Sequence, residues 1–202
     1  NRKRFLFGFT LLSIVATALL FFVQEGMVFA GVALFVAANI GFEGGLVFYD
    51  AFLPGLTSPK SYGRVSGYGF AMGYAGALAI LVIIRLMLPA ASEPGYLFMV
   101  RVSFVVAAVF FLLFSMPMFL FVPEPPRPER RRVSFLREGI AESRKTFRAL
   151  FVTREYPQIA RFLVAFFLYN DGILTVIAFA AIFAEHILHM SDGDIILFFA
   201  IV

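Results

Sequence analysis

Apolar residues in this chain neither alternate nor return every third or fourth position. They run on for about 20 residues at a time, the length a helix needs to cross a hydrocarbon core of about 30 Å. Such runs occupy Phe5 to Val23, Met27 to Leu56, Ser66 to Leu88, Leu97 to Val122 and Gln158 to Leu188, and a further one begins near Asp194 and is cut off at Val202. The pattern predicts an all-α fold, a polytopic transmembrane helix bundle, because backbone amides in lipid must find their partners within the segment itself. Asn1 to Arg4 is a basic flank directly before a span, with no signal-peptide pattern around it. With a last run too short to cross a bilayer, the chain reads as an interior piece of a longer membrane protein.

One connection breaks the rhythm. "PEPPRPERRRVSFLREGIAESRKTFRALFVTREYP" opens with a Pro- and Arg-rich linker unsuited to helix. It then passes into a segment where Leu136, Ile140, Phe147 and Phe151 recur near helical spacing, opposite Arg137, Arg144, Lys145 and Arg148. The pattern predicts an interfacial helix on the cytoplasmic membrane surface, its basic side chains meeting anionic lipid. A solvated linker helix with an ordinary charged face is the alternative. The expected organisation is therefore 1–122 as membrane helices, 123–156 as a cytoplasmic linker with an amphipathic helix, and 157–202 as further membrane helices.

Composition agrees with the runs: 61% of residues are hydrophobic, mean hydropathy is +0.90 and only 15% are charged, which excludes an ordinary soluble domain. With 28 Phe, 7 Tyr and no Trp, the aromatics fill apolar surface rather than building an indole belt. There is no Cys, so disulfides and thiolate metal sites are excluded. The net charge of +4 does not imply nucleic acid, because the basic residues fall between apolar spans and not on one soluble face. Numbering the connections alternately puts Arg2, Lys3, Arg4, Lys60, Arg64 and the ten basic residues from Arg127 to Arg161 on one side, leaving Arg85 and Arg101 for the other. That bias predicts which side is cytoplasmic.

Within these spans the ionisable residues stand out, since a charge at the bilayer centre costs about 2.5 to 3.5 kcal/mol on insertion scales. In "AANIGFEGGLVFYDAFLP", residues 37 to 54, Asn39, Glu43 and Asp50 fall within about 40° of one another on a helix, with Tyr49 beside Asp50. Glu43 lies near mid-membrane and Asp50 nearer the cytoplasmic end. Gly41, Gly44 and Gly45 surround Glu43, so the backbone there can pack closely or loosen. Such a stripe must face a bundle interior or an aqueous cavity; a pairing with hydroxyls or a basic residue on a neighbouring helix is the structural alternative.

A second polar insertion, "FLYNDGILTV", sets the turn-type tripeptide Asn170, Asp171 and Gly172 about 14 residues into the fifth span, with Tyr169 and Thr175 adding hydroxyls. It predicts a discontinuous helix whose freed backbone groups coordinate substrate or ions, against a kink satisfied by a neighbouring helix. Glu185, His186, His189 and Asp192 have spacing that could hold a metal, although a short polar loop usually keeps such groups solvated, and no metal or other cofactor is expected. Gly69, Gly73 and Gly76 form a small-residue seam suited to close helix packing and not a phosphate loop. No HExxH, GxSxG or Walker pattern supports an enzyme.

Several of these stretches resemble a known family. "NRKRFLFGF" resembles the end of the basic loop between the second and third helices of major facilitator superfamily transporters, and the long linker falls after what would be the sixth helix. "GLVFYDAFLP", "RVSGYGFAMGYAGA" and "FLVAFFLYNDGILTVI" resemble its vacuole-effluxer-like branch, which includes autophagy-related amino-acid effluxers and bacterial permeases. Asp50 departs from that pattern, where Asn is more usual. The resemblance implies helices three to seven of a twelve-helix protein, with the eighth cut short, and puts the helices of Glu43 and Asp171 among those lining a central cavity. It implies a secondary transporter of amino acids or similar metabolites, with protons, a small-molecule substrate and the lipid bilayer as partners, in a cell membrane or a vacuolar one. A transport-inactive receptor or assembly subunit is the alternative.

Overall fold

The computed structural model describes residues 2–90, 92–123 and 135–201. Among these every regular element is helical, as the unbroken apolar runs require. α1 spans Arg2–Leu19 and ends in a 3-10 turn, α2 spans Val28–Asp50, α3 is the single turn Leu53–Leu56, α4 spans Tyr62–Met87 and α5 spans Tyr96–Phe121. α6 (Phe135–Phe147) passes through a π-helical turn, Arg148–Val152, towards α7 (Pro157–His186), and α8 covers Asp192–Ile201. Five of the described helical segments are long and apolar enough to cross a membrane: Arg2–Phe22, Val28–Leu56, Pro59–Met87, Tyr96–Phe121 and Pro157–His186.

The boundaries follow local chemistry. Gly95, at φ +98°, makes the left-handed turn that admits α5, and Pro157 opens α7 at a position where a missing N–H costs nothing. The third span begins earlier than the apolar run indicates. Its helical turns start at Pro59 rather than near Ser66, with Pro59 opening the first turn at a position that needs no N–H. The Pro- and Arg-rich part of the linker, 124–134, lies outside the described residues, as do the side chains of Leu136 and Arg137.

The chain divides into two compact units, Asn1–Pro125 with Ile196–Val202, and Pro126–Ile195. In the first, α1 is the central helix, packed by α2 and α5, while α4 packs on α5. Leu6, Thr10, Ser13, Ile14 and Ala16 of α1 are buried. Rings fill the joints: Phe48 stacks on Phe5 and Phe9 at 5.4 and 5.7 Å, and Phe7 meets Phe119 edge-on at 5.4 Å.

Backbones approach most closely at Gly41. A Cβ there would lie 2.6 Å from the Ser13 nitrogen and 2.8 Å from the Phe9 carbonyl oxygen, so only glycine lets α2 settle against α1. The seam expected at Gly69, Gly73 and Gly76 is not of this kind. A Cβ at Gly73 would meet nothing within 4 Å, and those at Gly69 and Gly76 would meet side chains at ordinary contact distance.

In the second unit α6 has an apolar stripe that Lys145, about 140° from Ile140, opposes as expected, whereas Arg144 and Arg148 border it. On a helical projection Arg144 lies only about 40° from Ile140, and Arg148 about 80°.

Candidate functional site

The polar stripe of α2 is defined by what occupies the other side of the helix. Gly41, Gly45 and Phe48 fall within about 60° of one another and make the contact with α1. Asn39, Glu43 and Asp50 lie about 180° from Gly41, and all three are exposed. The tight glycine contact therefore fixes the rotation of α2 and presents the three polar residues away from α1. Glu43 sits near the middle of the membrane-length segment Val28–Leu56, and Asp50, about 10.5 Å further along the axis, is the last residue of α2.

Asn39 turns part of its amide inward: Nδ2 donates to the Phe35 carbonyl at 2.9 Å. Among the described residues no salt bridge or hydrogen bond engages the carboxylates of Glu43, Asp50 or Asp171. Tyr49 leaves the stripe, since its hydroxyl lies 3.6 Å from where a Cβ on Gly69 of α4 would stand. Phe42, on the same flank, sets its ring 6.2 Å from that of Phe111 on α5.

The end of α2 that carries Asp50 has partners the sequence pattern did not reveal. Arg2 donates from Nη1 to the Ala51 carbonyl at 2.9 Å, and Lys3 donates from Nζ to the Val122 carbonyl at 2.7 Å. Cations at the start of a helix oppose its own dipole, but α1 runs antiparallel to α2 and α5 and so delivers them to the negative C-terminal ends of its two neighbours. In the sequence these residues signalled only orientation. Their spacing, adjacent on the first turn, allows each to reach a different neighbour.

The second cluster differs from its expected form. Asn170, Asp171 and Gly172 do not interrupt the span; α7 is one continuous helix of 30 residues. Turn propensity yields here because each amide released in lipid would cost several kcal/mol, whereas the helix satisfies all of them. Continuity also sorts the side chains. Asp171 and Thr175 share a face, Asn170 lies about a quarter turn away and Tyr169 about 160° round the helix. All four are exposed, Tyr169 by 69%. Asp171 is near the midpoint of the span, the depth that Glu43 has in its own.

The polar loop before α8 has a capping role. Ser191 Oγ donates to Asp194 Oδ2 at 2.6 Å, and the Asp194 amide donates back to Ser191 Oγ at 3.3 Å. Among the described residues no group of three or more His, Cys, Asp or Glu could hold a metal ion.

Membrane-length helices with unpaired polar residues at mid-span define a multi-pass integral membrane protein. The chain belongs to the family described as "Vacuole effluxer Atg22 like", whose model matches residues 1–63 and 58–202. It is 30% identical over 98% of its length to the uncharacterized MFS-type transporter YxiO of Bacillus subtilis, covering 46% of that protein. It is 29% identical to autophagy-related protein 22 of Yarrowia lipolytica over 65% of this chain and 25% of the relative. The match to autophagy-related protein 22-1 of Aspergillus fumigatus is 28% over 64% of this chain and 22% of the relative. The chain thus spans less than half the length of these curated relatives. No solved structure matches it significantly.

Proposed function

We propose that this chain supplies central helices of a secondary active transporter that moves amino acids or similar small metabolites across a membrane, with proton coupling through its intramembrane carboxylates. The observation that carries the reading is the arrangement of α2: its close packing surface is on one side, and Asn39, Glu43 and Asp50 are exposed on the other. A helix that spent three polar groups on lipid would lose several kcal/mol, so this face belongs on a water-filled path or a polar neighbour. The family relationship favours the path, since a relative in it is named a transporter.

Within this reading Glu43 is the proton-exchanging group, because its depth lets it reach either side as access alternates. Asp50 belongs to the cytoplasmic mouth, at the helix end whose Ala51 carbonyl accepts from Arg2. Asp171 and Thr175 form a small acceptor patch on α7, suited to a substrate ammonium group.

The Asp171→Asn variant of the full-length protein tests the substrate assignment. Counterflow of a panel of labelled amino acids into proteoliposomes is expected to show half-saturation raised about tenfold, the loss of one charge-assisted contact, with the maximal rate little changed. An unaltered concentration dependence would remove Asp171 from the binding site.

A further inference from the structure

The second unit carries a surface that the transport reading does not use. On α6 and the π turn, Ile140 is 69% exposed, Phe147 61% and Phe151 41%, so large apolar side chains face out of the unit. They are not scattered. Ile140 and Phe147 lie within about 20° on the helix, and the Phe147 and Phe151 rings pack at 5.0 Å into one ridge. Arg144 and Arg148 run along this ridge as a border, Lys145 pairs with Glu142 at 3.9 Å on the far side of the helix, and Arg154 and Glu155 follow in the elbow, all six being exposed.

The joint to α7 keeps this ridge near the end of a membrane-length helix. The Thr153 amide donates to the Arg148 carbonyl at 2.8 Å and the Glu155 amide to that of Ala149 at 2.9 Å, closing wide turns where an α-helix would have continued. Thr153 Oγ1 donates to Glu155 Oε1 at 3.1 Å, and Arg154 takes a left-handed φ of +51°. A hydrogen-bonded elbow thus replaces a flexible linker, and the membrane-length α7 begins at Pro157, two residues beyond it. A helix tied this closely to the end of a span sits at the level of the lipid headgroups, where apolar side chains can enter the acyl boundary and guanidinium groups meet phosphate.

We propose that α6 and its elbow form a docking surface for an anionic lipid headgroup layer, with Ile140, Phe147 and Phe151 inserted and Arg144, Arg148 and Arg154 on lipid phosphates. Charge complementarity selects this occupant. A neutral apolar partner would leave the basic border unused, whereas each cation near an anionic surface strengthens binding about fivefold.

The test uses the full-length protein on a cysteine-free background, simple to reach over these 202 residues because they contain no Cys. Single spin labels at Ile140→Cys, Phe147→Cys, Glu142→Cys and Thr146→Cys are read in nanodiscs of phosphatidylcholine with about 30% phosphatidylglycerol, by collision with oxygen and with a water-soluble nickel chelate. Labels at 140 and 147 are expected to favour oxygen, and those at 142 and 146 nickel. The contrast should fall at least twofold in pure phosphatidylcholine or in the triple variant R144Q/K145Q/R148Q, and return in R144K/R148K. Four uniformly nickel-accessible sites, a ridge shielded from both reagents by protein, or a contrast indifferent to lipid charge would each overturn the proposal.

Discussion

Replacing Gly41 by alanine is expected to destabilise the α1–α2 pair by about 2 to 3 kcal/mol, although alanine is the better helix former by about 1 kcal/mol. The added carbon would lie 2.6 Å from one backbone atom of α1 and 2.8 Å from another. Neither is the end of a flexible side chain, so relief requires the two helices to part. Parting them loosens the stacking of Phe48 on Phe5 and Phe9 as well. Gly8→Ala on α1 is the matched control, since a carbon there would meet nothing within 4 Å, and it should be neutral or slightly stabilising. Thermal unfolding of the two full-length variants in detergent measures the difference. Equal midpoints would mean that the glycine contact does not set the rotation of α2.

The second large effect belongs to Glu43→Gln, which keeps size and hydrogen bonding but removes the exchangeable proton. Moving one charge down 100 mV releases about 2.3 kcal/mol, enough for roughly fiftyfold accumulation if one proton accompanies each substrate. The variant is expected to lose that accumulation entirely, bringing internal and external substrate level, while substrate-for-substrate exchange continues near the normal rate. Uptake into energised proteoliposomes, compared with counterflow in the same vesicles, separates the two processes. A variant that still concentrates substrate with unchanged pH dependence would reduce Glu43 to a hydrogen-bonding role.

Much of the architecture was legible in the sequence because lipid imposes one rule, that apolar stretches of about 20 residues become helices. The same rule explains the main departure. Asn170-Asp171-Gly172 carries turn chemistry that would end a helix in water, yet α7 runs through it without a break. Local propensity, at a few tenths of a kcal/mol to about 1 kcal/mol per residue, is outweighed by the cost of freeing amides in hydrocarbon.

The stripe of Asn39, Glu43 and Asp50 followed from helical geometry, and α2 is helical throughout that stretch. Its outward direction did not follow from the sequence. That depends on which of several small residues makes the tight contact, and a glycine's partner lies on another helix. Gly41 and Gly73 are equivalent as letters, but only Gly41 meets a neighbouring backbone. Arg2 and Lys3 were hidden for a related reason, since the carbonyls they cap lie 49 and 119 residues away.

The most direct test of the central claim, that the polar face of α2 lines an aqueous path, is the reactivity of single cysteines at 39, 43 and 50 in the full-length protein. Ile40, about 80° from the centre of the stripe, serves as the comparison. With a membrane-impermeant, water-soluble thiol reagent, cysteines at the three stripe positions are expected to react at least tenfold faster than one at 40, and a transported amino acid should slow the reaction at 43. Stripe positions no more reactive than position 40, with or without substrate, would contradict the account.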